Sequence, residues 1–269
     1  MSDADIAALK ERAKRVWGLG DYSDIARVTV QAAQPLVDAC AVSAGQDVLD
    51  VAAGNGNVAL AAAREGAHVV AADITPAMVE LGRARSVREG LSVEWVEADV
   101  EELPFADESF DCVVSAFGAM LAPRPAVAAR EAFRVLRPGG TFGMTAWTPT
   151  SLIPSQSALV GRYLPPPAGV PAPGEWGDPE TARERLAGLA ASVEIESHAA
   201  EWIGASAEEY VTTLEQNAGP QIAARQALSP DRYSELRAEL LELVRGFAAG
   251  DGAVTITLDY LLVIARKRG

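Results

Sequence analysis

The sequence contains little of the residue types that metal sites, redox sites and histidine-based catalysis require. Only two of its 269 residues are cysteine, and only two are histidine. Cys40 lies in a helical pattern with no partner at the spacing of a metal or redox pair. The sequence therefore predicts no metal site, and only His68 and His198 are candidates for an imidazole base.

Basic residues are scarce relative to acidic ones. The chain has 23 Lys and Arg against 37 Asp and Glu, which gives a formal net charge of −14. Binding to a phosphate backbone needs clustered lysine and arginine. The nearest approach to such a cluster is the short basic stretch Arg266-Lys267-Arg268. We therefore expect no nucleic-acid partner.

Long apolar runs are missing as well. No run approaches the roughly 18 residues that a membrane-spanning helix needs. The N-terminal stretch MSDADIAALKERAKRVW also lacks the apolar core of a signal peptide. Hydrophobic residues nevertheless make up 49% of the chain and charged residues 22%, which is typical of a globular domain with a full core. We expect a cytoplasmic protein with no membrane association, and its oligomeric state stays open.

Short β-rich runs and helical segments alternate through the middle of the chain. The β-rich runs are 47–52, 68–73, 93–98, 110–116 and 140–147, and the helical segments between them are 57–66, 76–89 and 125–136. Thr75-Pro76 is a strong helix start, with a capping hydroxyl and a proline at the first helical position. Such alternation produces a parallel sheet with helices on both faces, and ligands then bind beyond the carboxyl ends of the strands.

Segments with other patterns flank this alternation. Two helices are predicted before it, at 3–17 and at roughly 24–41, the second interrupted near Pro35. After it comes the proline-rich stretch 164–177, which predicts a loop without helix or strand. This loop is either an ordered lid over the ligand site or a surface linker.

The last part of the chain completes the same sheet. A helix is predicted from Asp178-Pro179 to about residue 190. Strands are predicted at 192–203 and 254–266, with a helical pair between them. The predicted fold class is α/β, a Rossmann-like doubly wound, seven-stranded and mostly parallel sheet with N-terminal helices and a helical embellishment between the last two strands. Residues 1–44 would form an N-terminal helical cap, 45–147 the ligand-binding core, and 148–269 the lid loop, helices and terminal strands of the same domain.

Residues 48–60, VLDVAAGNGNVAL, form the pattern of a strand, a glycine turn and a helix. The spacing Gly54-x-Gly56-x-x-Ala59 matches the dinucleotide-binding fingerprint, and Asp73 lies at a suitable distance downstream to hold a ribose. This segment predicts a nucleotide-like ligand and leaves a nicotinamide-dependent dehydrogenase open.

Asp50 helps to choose between the candidate ligands. It lies in the predicted strand just before the glycine turn. A carboxylate there would repel a pyrophosphate bound at the helix N-terminus. The same carboxylate suits S-adenosylmethionine, whose α-ammonium and sulfonium groups are positive. Asp50 therefore favours S-adenosylmethionine over a dinucleotide.

Four segments in order resemble the class I S-adenosylmethionine-dependent methyltransferase family. VLDVAAGNGN resembles motif I, usually LDxGxGxG, with Ala52 in place of the first glycine. AADITPAMVELGRAR, VEADVEELPFADESFDCVVS and RVLRPGGTFGMTAW are similar to the elements that follow. The resemblance covers about residues 45–147. Softer similarities, in WGLGDYSDIA, FGAM and the proline-rich loop, are to bacterial methyltransferases related to the quinone-biosynthesis type.

On the methionine side of the cofactor, the resemblance implies five contact residues. Asp50, Ala52, Gly54 and Gly56 would surround the methionine part, and the backbone of Ser115 would meet its ammonium group. Ser115 could instead be ordinary strand packing.

On the adenosine side, the resemblance implies five more contacts. Asp73 would accept hydrogen bonds from the ribose hydroxyls, with Ile74 and Met78 against the adenine. Asp99 would accept from the adenine amino group, and the Val100 backbone would pair with the ring. The alternatives without a ligand are turn formation for the two aspartates and core packing for Ile74 and Met78.

Aromatic residues are candidates for the remaining walls of the predicted cofactor and substrate site. Tyr22 follows a glycine turn ahead of the first strand, where such enzymes fold an N-terminal segment over the cofactor, and we expect it to approach the cofactor. Trp17, Trp147, Trp176 and Trp202 could line an aromatic pocket or pack in the core. We also expect both the N-terminal helix and the loop ending at Trp176 to cover the site.

The resemblance implies a methyltransferase that acts on a small molecule by O-, N- or C-methylation, for instance in specialised metabolism, and releases S-adenosylhomocysteine. His198, on the late strand, is the candidate general base or substrate contact, and would otherwise be a partly buried strand residue, while His68 has a structural role. Two alternatives stay open: an NAD(P)-dependent oxidoreductase, and a catalytically silent S-adenosylmethionine-binding regulatory protein.

Overall fold

A computed structural model describes residues 1–172, 174–250 and 253–269, and for residues 22–24 it describes the backbone alone. The strands are β1 Asp47–Val51, β2 His68–Asp73, β3 Val93–Glu97, β4 Phe110–Ala116, β5 Leu136–Trp147, β6 Ala190–Gly204, β7 Ala248–Ala249 and β8 Val254–Lys267. Seven of them form a path in the order β3-β2-β1-β4-β5-β8-β6, and the two-residue β7 pairs with β8.

The sheet is mostly parallel, as the sequence predicts. Strands β1 to β5 pair in parallel, whereas β8 is antiparallel to both of its neighbours, β5 and β6. The chain reaches β6 before β8, but β8 lies between β5 and β6 in space. The last strand in sequence therefore separates β6 from the parallel part of the sheet.

Eleven α-helices lie in the described ranges. They are α1 Asp3–Trp17, α2 Tyr22–Thr29, α3 Ala33–Ala39, α4 Asn57–Arg64, α5 Pro76–Glu89, α6 Pro125–Val135, α7 Leu152–Tyr163, α8 Pro179–Leu186, α9 Ala207–Asn217, α10 Gly219–Ala227 and α11 Pro230–Phe247. None of them is long and apolar enough to span a membrane.

Two of these helices, α7 and α10, are absent from the sequence prediction, and one predicted break is misplaced. Pro154 lies in the first turn of α7, where the missing N–H has no intrahelical partner to lose. Pro35 also lies in a first turn, that of α3, where a proline is tolerated. The second predicted helix is therefore interrupted before Pro35, at the 3₁₀ turn Val30–Ala32. Helix α5 begins at Pro76 as predicted, but the Thr75 hydroxyl makes no capping hydrogen bond.

Strand β1 shows how the sheet is covered on both faces. Val48 packs in one buried apolar cluster with residues of α3 and α4, and Leu49 packs in the other cluster with residues of α6. Successive side chains of a strand point to opposite faces, so both faces of β1 are buried. Only the ends of such a strand remain available to a ligand.

Candidate functional site

A cavity of about 280 Å³ lies beyond the carboxyl ends of β1 to β4. Its walls come from the turn after β1, the ends of β2 and β3, the segment after β4, one face of α1 and a residue of the proline-rich loop. This is where open parallel sheets bind their ligands. The position therefore agrees with the ligand site that the sequence predicts.

Asp50 lies on this wall and is almost completely buried. Its Oδ2 accepts a hydrogen bond from the Ala59 N–H at 2.9 Å, and its Oδ1 has no hydrogen-bond partner among the described residues. Burial raises the pKa of Asp50 to about 8, against the Ala59 hydrogen bond, which lowers it. A buried acceptor without a donor is destabilising, so a cationic or N–H group of a ligand would satisfy it.

The glycine turn after β1 has a left-handed backbone at three positions. The φ angles are 50° at Ala52, 56° at Gly54 and 88° at Gly56. At Gly56 a Cβ atom would also lie 2.6 Å from the Trp95 ring, so both the backbone and the space require glycine. Ala52 has the left-handed conformation without being glycine, at a cost of about 1 kcal/mol. Ala52 and Gly54 line the cavity, while Gly56 shapes the turn without being a lining residue.

Asp73 holds the glycine turn from the end of β2. Its Oδ2 accepts from the Gly54 N–H and its Oδ1 from the Thr75 N–H, both at 2.8 Å. Burial raises the pKa of Asp73, and these two hydrogen bonds oppose the increase. Asp73 is thus a turn organiser in this structure, and it also lines the cavity beside Ile74 and Met78.

Asp99 and Val100, the predicted contacts of the adenine, line the cavity after β3. Asp99 Oδ1 accepts from the Glu101 N–H at 2.9 Å. Asp99 Oδ2 lies 2.6 Å from Nζ of Lys10, a residue of α1 that also lines the cavity. Sequence reasoning missed Lys10, because its partners lie far away in the chain and no local motif marks it.

The side chain of Ser115 makes hydrogen bonds within the fold, and the predicted backbone contact with the ammonium group stays a prediction. Its hydroxyl donates to the Val51 carbonyl at 2.7 Å and accepts from the Ala119 N–H at 2.9 Å. The residue is completely buried and does not line the cavity, whose wall begins at the next residue, Ala116. Ser115 therefore ties β4 to β1 and holds the turn that follows, and the strand-packing alternative describes its side chain.

Phe117 is a wall residue that sequence reasoning missed. It has a left-handed backbone, with φ 57°, which is unusual for a bulky side chain. Its ring stacks on Trp147 with the centroids 3.7 Å apart. Gly118, which follows, lies so close to the Ala52 carbonyl that a side chain there would overlap it. The segment after β4 is thus packed directly against the glycine turn.

His198 lies outside the cavity wall. It is on β6, where its ring stacks on Tyr260 of β8 at 5.6 Å and its Nε2 lies 3.1 Å from Glu196. Tyr260 in turn contacts the Phe117–Trp147 pair edge-on. The prediction that His198 contacts substrate is therefore not supported, because β8 lies between β6 and the site.

The tryptophans divide between wall and core. Trp17 lines the cavity, whereas Trp147 lies behind Phe117. Trp176 is buried under the guanidinium of Arg185, 4.9 Å from the ring centroid, and Trp202 packs edge-on against Tyr210. Trp176 is thus packed in the core, one of the two roles that the sequence left open for it, and it does not line the cavity.

The N-terminal helix covers the cavity with one face. Leu9, Ala13 and Trp17 of α1 lie on the wall, and the proline-rich loop contributes Val170. The side chain of Tyr22, predicted to approach the cofactor, lies outside the described residues. No group of three or more potential metal ligands occurs in the described part of the chain.

Comparisons with known proteins agree with this geometry. A family model described as a methyltransferase domain matches residues 49–144. An uncharacterized protein of Mycobacterium tuberculosis is 35% identical over 269 residues, covering 95% of this chain and 94% of its own. The ubiquinone/menaquinone biosynthesis C-methyltransferase UbiE of Bartonella tribocorum is 47% identical over 100 residues, 35% of this chain and 38% of UbiE.

A solved structure extends the similarity to the fold. The phosphoethanolamine N-methyltransferase 2 of Haemonchus contortus, in complex with S-adenosylhomocysteine, aligns with a TM-score of 0.58 at 19% identity. The alignment covers 89% of this chain and 53% of that one. With a methyltransferase-domain match over β1 to β5 and this sheet order, the chain belongs to the class I S-adenosylmethionine-dependent methyltransferase family.

Proposed function

We propose that the chain binds S-adenosylmethionine in the cavity beyond β1 to β4 and transfers its methyl group to a small, largely apolar molecule. The observation that carries the proposal is Asp50, a buried cavity-lining carboxylate with one oxygen lacking a donor. A cationic ligand part beside it would supply both a donor and a positive charge.

The charges around the cavity support this cofactor over a dinucleotide. Three carboxylates line the wall, those of Asp50, Asp73 and Asp99. The lining cation, Lys10, is already bound to Asp99 and Glu101. A pyrophosphate beside these acidic groups would oppose their ionisation, whereas an ammonium and a sulfonium would favour the ionised carboxylates and be attracted to them. The glycine spacing and Asp73 alone also suit the oxidoreductase alternative, and the charges on the wall favour S-adenosylmethionine over it.

The other walls support an apolar acceptor. They are formed largely by hydrophobic side chains of α1, the segment after β4 and the proline-rich loop, namely Leu9, Ala13, Trp17, Phe117, Leu121 and Val170. Burying a charge against such groups without a partner is destabilising. We expect an acceptor with a small polar reacting group on an apolar body, and O-, N- and C-methylation are all compatible with these walls.

The chain's own residues would bind, orient and exclude water. S-adenosylmethionine supplies an already activated methyl group, so the largest contributions of the protein are alignment and a dry site. Asp73 and Asp99 would hold the ribose and the adenine amino group, and the Gly54 turn would hold the methionine part. Helix α1 and Phe117 would shield the acceptor side. We expect the protein to act in the cytoplasm on a free small molecule.

Two measurements test the proposal. S-adenosylhomocysteine should bind with micromolar affinity, about −8 kcal/mol, and at ~100 times its Kd it should stabilise the fold by about 2.7 kcal/mol. NAD should give no increase in melting temperature. An increase with NAD and none with S-adenosylhomocysteine would overturn the proposal. Release of S-adenosylhomocysteine with a panel of apolar acceptors then separates an enzyme from a catalytically silent binding protein.

A further inference from the structure

Lys10 of α1 is the residue through which the N-terminal helix touches the adenine end of the cavity. Its Nζ lies 2.6 Å from Asp99 Oδ2 and 2.6 Å from Glu101 Oε2. Its side chain is only 15% exposed. Burial lowers the pKa of Lys10, but the hydrogen bonds to the two carboxylates outweigh burial and raise it. The ammonium therefore stays charged and bridges both acidic groups.

Glu101 makes this bridge unusually well anchored. Its carboxylate is completely buried, and it also accepts hydrogen bonds from the backbone N–H and the Nε of Arg124. A buried carboxylate needs such donors, because without them its desolvation is not compensated. Lys10 and Arg124 therefore hold Glu101 from two sides, and Glu101 holds Lys10 in turn.

Apart from Lys10, α1 is held by apolar packing and by a close backbone contact. The Val16 carbonyl is packed so closely against Gly219 of α10 that a side chain at 219 would overlap it. Ile6 is the one described residue of α1 that is buried. Near the N-terminus, Asp3 and Arg124 are 3.9 Å apart at the exposed surface, a separation at which an ion pair contributes little. Lys10 is consequently the strongest polar attachment of the N-terminal half of α1.

We propose that Lys10 is a positioning residue for the cofactor: it fixes the Asp99 carboxylate toward the adenine amino group and holds α1 closed over the bound ligand. This inference rests on the proposed function, because it assumes that S-adenosylmethionine occupies the cavity. Asp99 Oδ1 is oriented by the Glu101 N–H and Oδ2 by Lys10, so both oxygens are fixed before a ligand arrives. Replacing Lys10 frees Asp99 Oδ2 and, at the same time, detaches α1 from the residues after β3.

The experiment compares Lys10→Met with the matched control Lys14→Met. Lys14 is one turn away on the same helix, more exposed, and 3.3 Å and 3.6 Å from Glu11 and Glu97. Binding of S-adenosylhomocysteine is measured by calorimetry, and its dissociation by stopped-flow tryptophan fluorescence. We expect Lys10→Met to weaken binding about tenfold, the loss of one hydrogen bond to a charged group, through faster dissociation. Lys14→Met should bind like the wild type.

Hydrogen exchange and a second variant separate positioning from simple stability. In Lys10→Met, amide exchange should accelerate in residues 3–13 and stay unchanged in the sheet. The double variant Lys10→Met/Glu101→Gln also removes the buried charge of Glu101, which the single change leaves with Arg124 as its remaining cation. Under our proposal it stays weak, because α1 is still unattached, and Lys10→Arg recovers most of the affinity.

Each contrary result has its own meaning. Equal binding by the Lys10→Met and Lys14→Met variants overturns the inference and leaves the proposed function standing. Recovery of wild-type affinity in the double variant also overturns it, because Lys10 would then only neutralise Glu101. Failure of the wild-type protein to bind S-adenosylhomocysteine overturns the proposed function itself, and the assignment of Lys10 with it.

Discussion

Replacing Asp50 by asparagine should weaken the cofactor site and stabilise the empty protein. Asparagine has nearly the same shape and can still accept the Ala59 hydrogen bond through its Oδ1. Above about pH 8, where Asp50 of the empty protein is ionised, the substitution removes a buried charge with one unpartnered oxygen. Weaker ligand binding together with a more stable empty protein distinguishes Asp50 from an ordinary structural residue, whose replacement lowers stability.

The stability change depends on pH in a defined direction. Burial raises the pKa of Asp50 to about 8 in the folded protein, against ~3.9 in the unfolded chain. Between these values the folded state binds the extra proton, so the free energy of unfolding falls as pH increases, by up to ~1.4 kcal/mol per pH unit. The wild type should therefore lose several kcal/mol from this group between about pH 4 and pH 8. The Asp50→Asn protein should lack that decline and be the more stable of the two at pH 8.5.

The affinity change follows from the lost charge. A hydrogen bond to a charged group is worth about 1.5–3 kcal/mol, so the S-adenosylhomocysteine affinity should fall about 10- to 150-fold. S-adenosylmethionine should lose more, because its sulfonium adds a second positive charge. In the wild type, affinity should increase with pH toward 8, since a cationic ligand favours the ionised carboxylate.

The assays are urea unfolding at pH 5 and pH 8.5 and calorimetric titration with both ligands. Asp47→Asn is the matched control: the residue is on the same strand at its opposite end, paired with Arg137 at 2.8 Å. It should not change ligand affinity per folded molecule. The reasoning about Asp50 is refuted if Asp50→Asn is less stable than the wild type at pH 8.5, or if it binds both ligands normally.

Four other variants test particular placements. Asp73→Ala should cost ligand binding about 1.5–3 kcal/mol by calorimetry in a protein with normal circular dichroism, and unchanged affinity would contradict its position at the ribose. Ser115→Ala should lower unfolding free energy by about 1–3 kcal/mol, because a buried donor and acceptor lose their partner, with affinity unchanged; weaker binding would restore a direct role. His198→Ala should leave kcat within about twofold of the wild type across pH, and loss of one side of the pH–rate profile would instead identify His198 as a base. Deletion of residues 1–22 should abolish turnover and weaken binding while the sheet still melts cooperatively, whereas unchanged affinity would place α1 outside the site.

The ligand-binding end of the sheet could be predicted from the sequence because its residues follow strands directly. Asp50, Asp73 and Asp99 each come at or just after the end of a parallel strand. Parallel strands end at one edge, so local patterns bring these residues together without any long-range information. The helices α7 and α10 escaped the prediction because Pro154 and Gly219-Pro220 look like helix breakers, although each lies in a first turn.

The misplaced residues depended on packing that local pattern does not contain. His198 was expected near the substrate because it lies on the late strand, but β8 lies between β5 and that strand and places it at the edge of the sheet. Lys10 was missed because its partners Asp99 and Glu101 follow another strand, after β3. Phe117 was missed because a left-handed backbone at a bulky residue has no sequence signal, unlike the same conformation at glycine.

Several unfavourable features of the structure meet at this one cavity. Asp50 is buried with an unpartnered oxygen, and Ala52 and Phe117 both have left-handed backbones although neither is glycine. All three residues line the cavity, while the opposite end of β1 has ordinary ion pairs such as Asp47 with Arg137. Strain and unsatisfied polar groups persist where the surroundings over-determine them, and a ligand that satisfies them binds more tightly for that reason. A cationic cofactor would therefore contact the wall where the fold holds an unsatisfied carboxylate oxygen, and binding there would stabilise the folded protein.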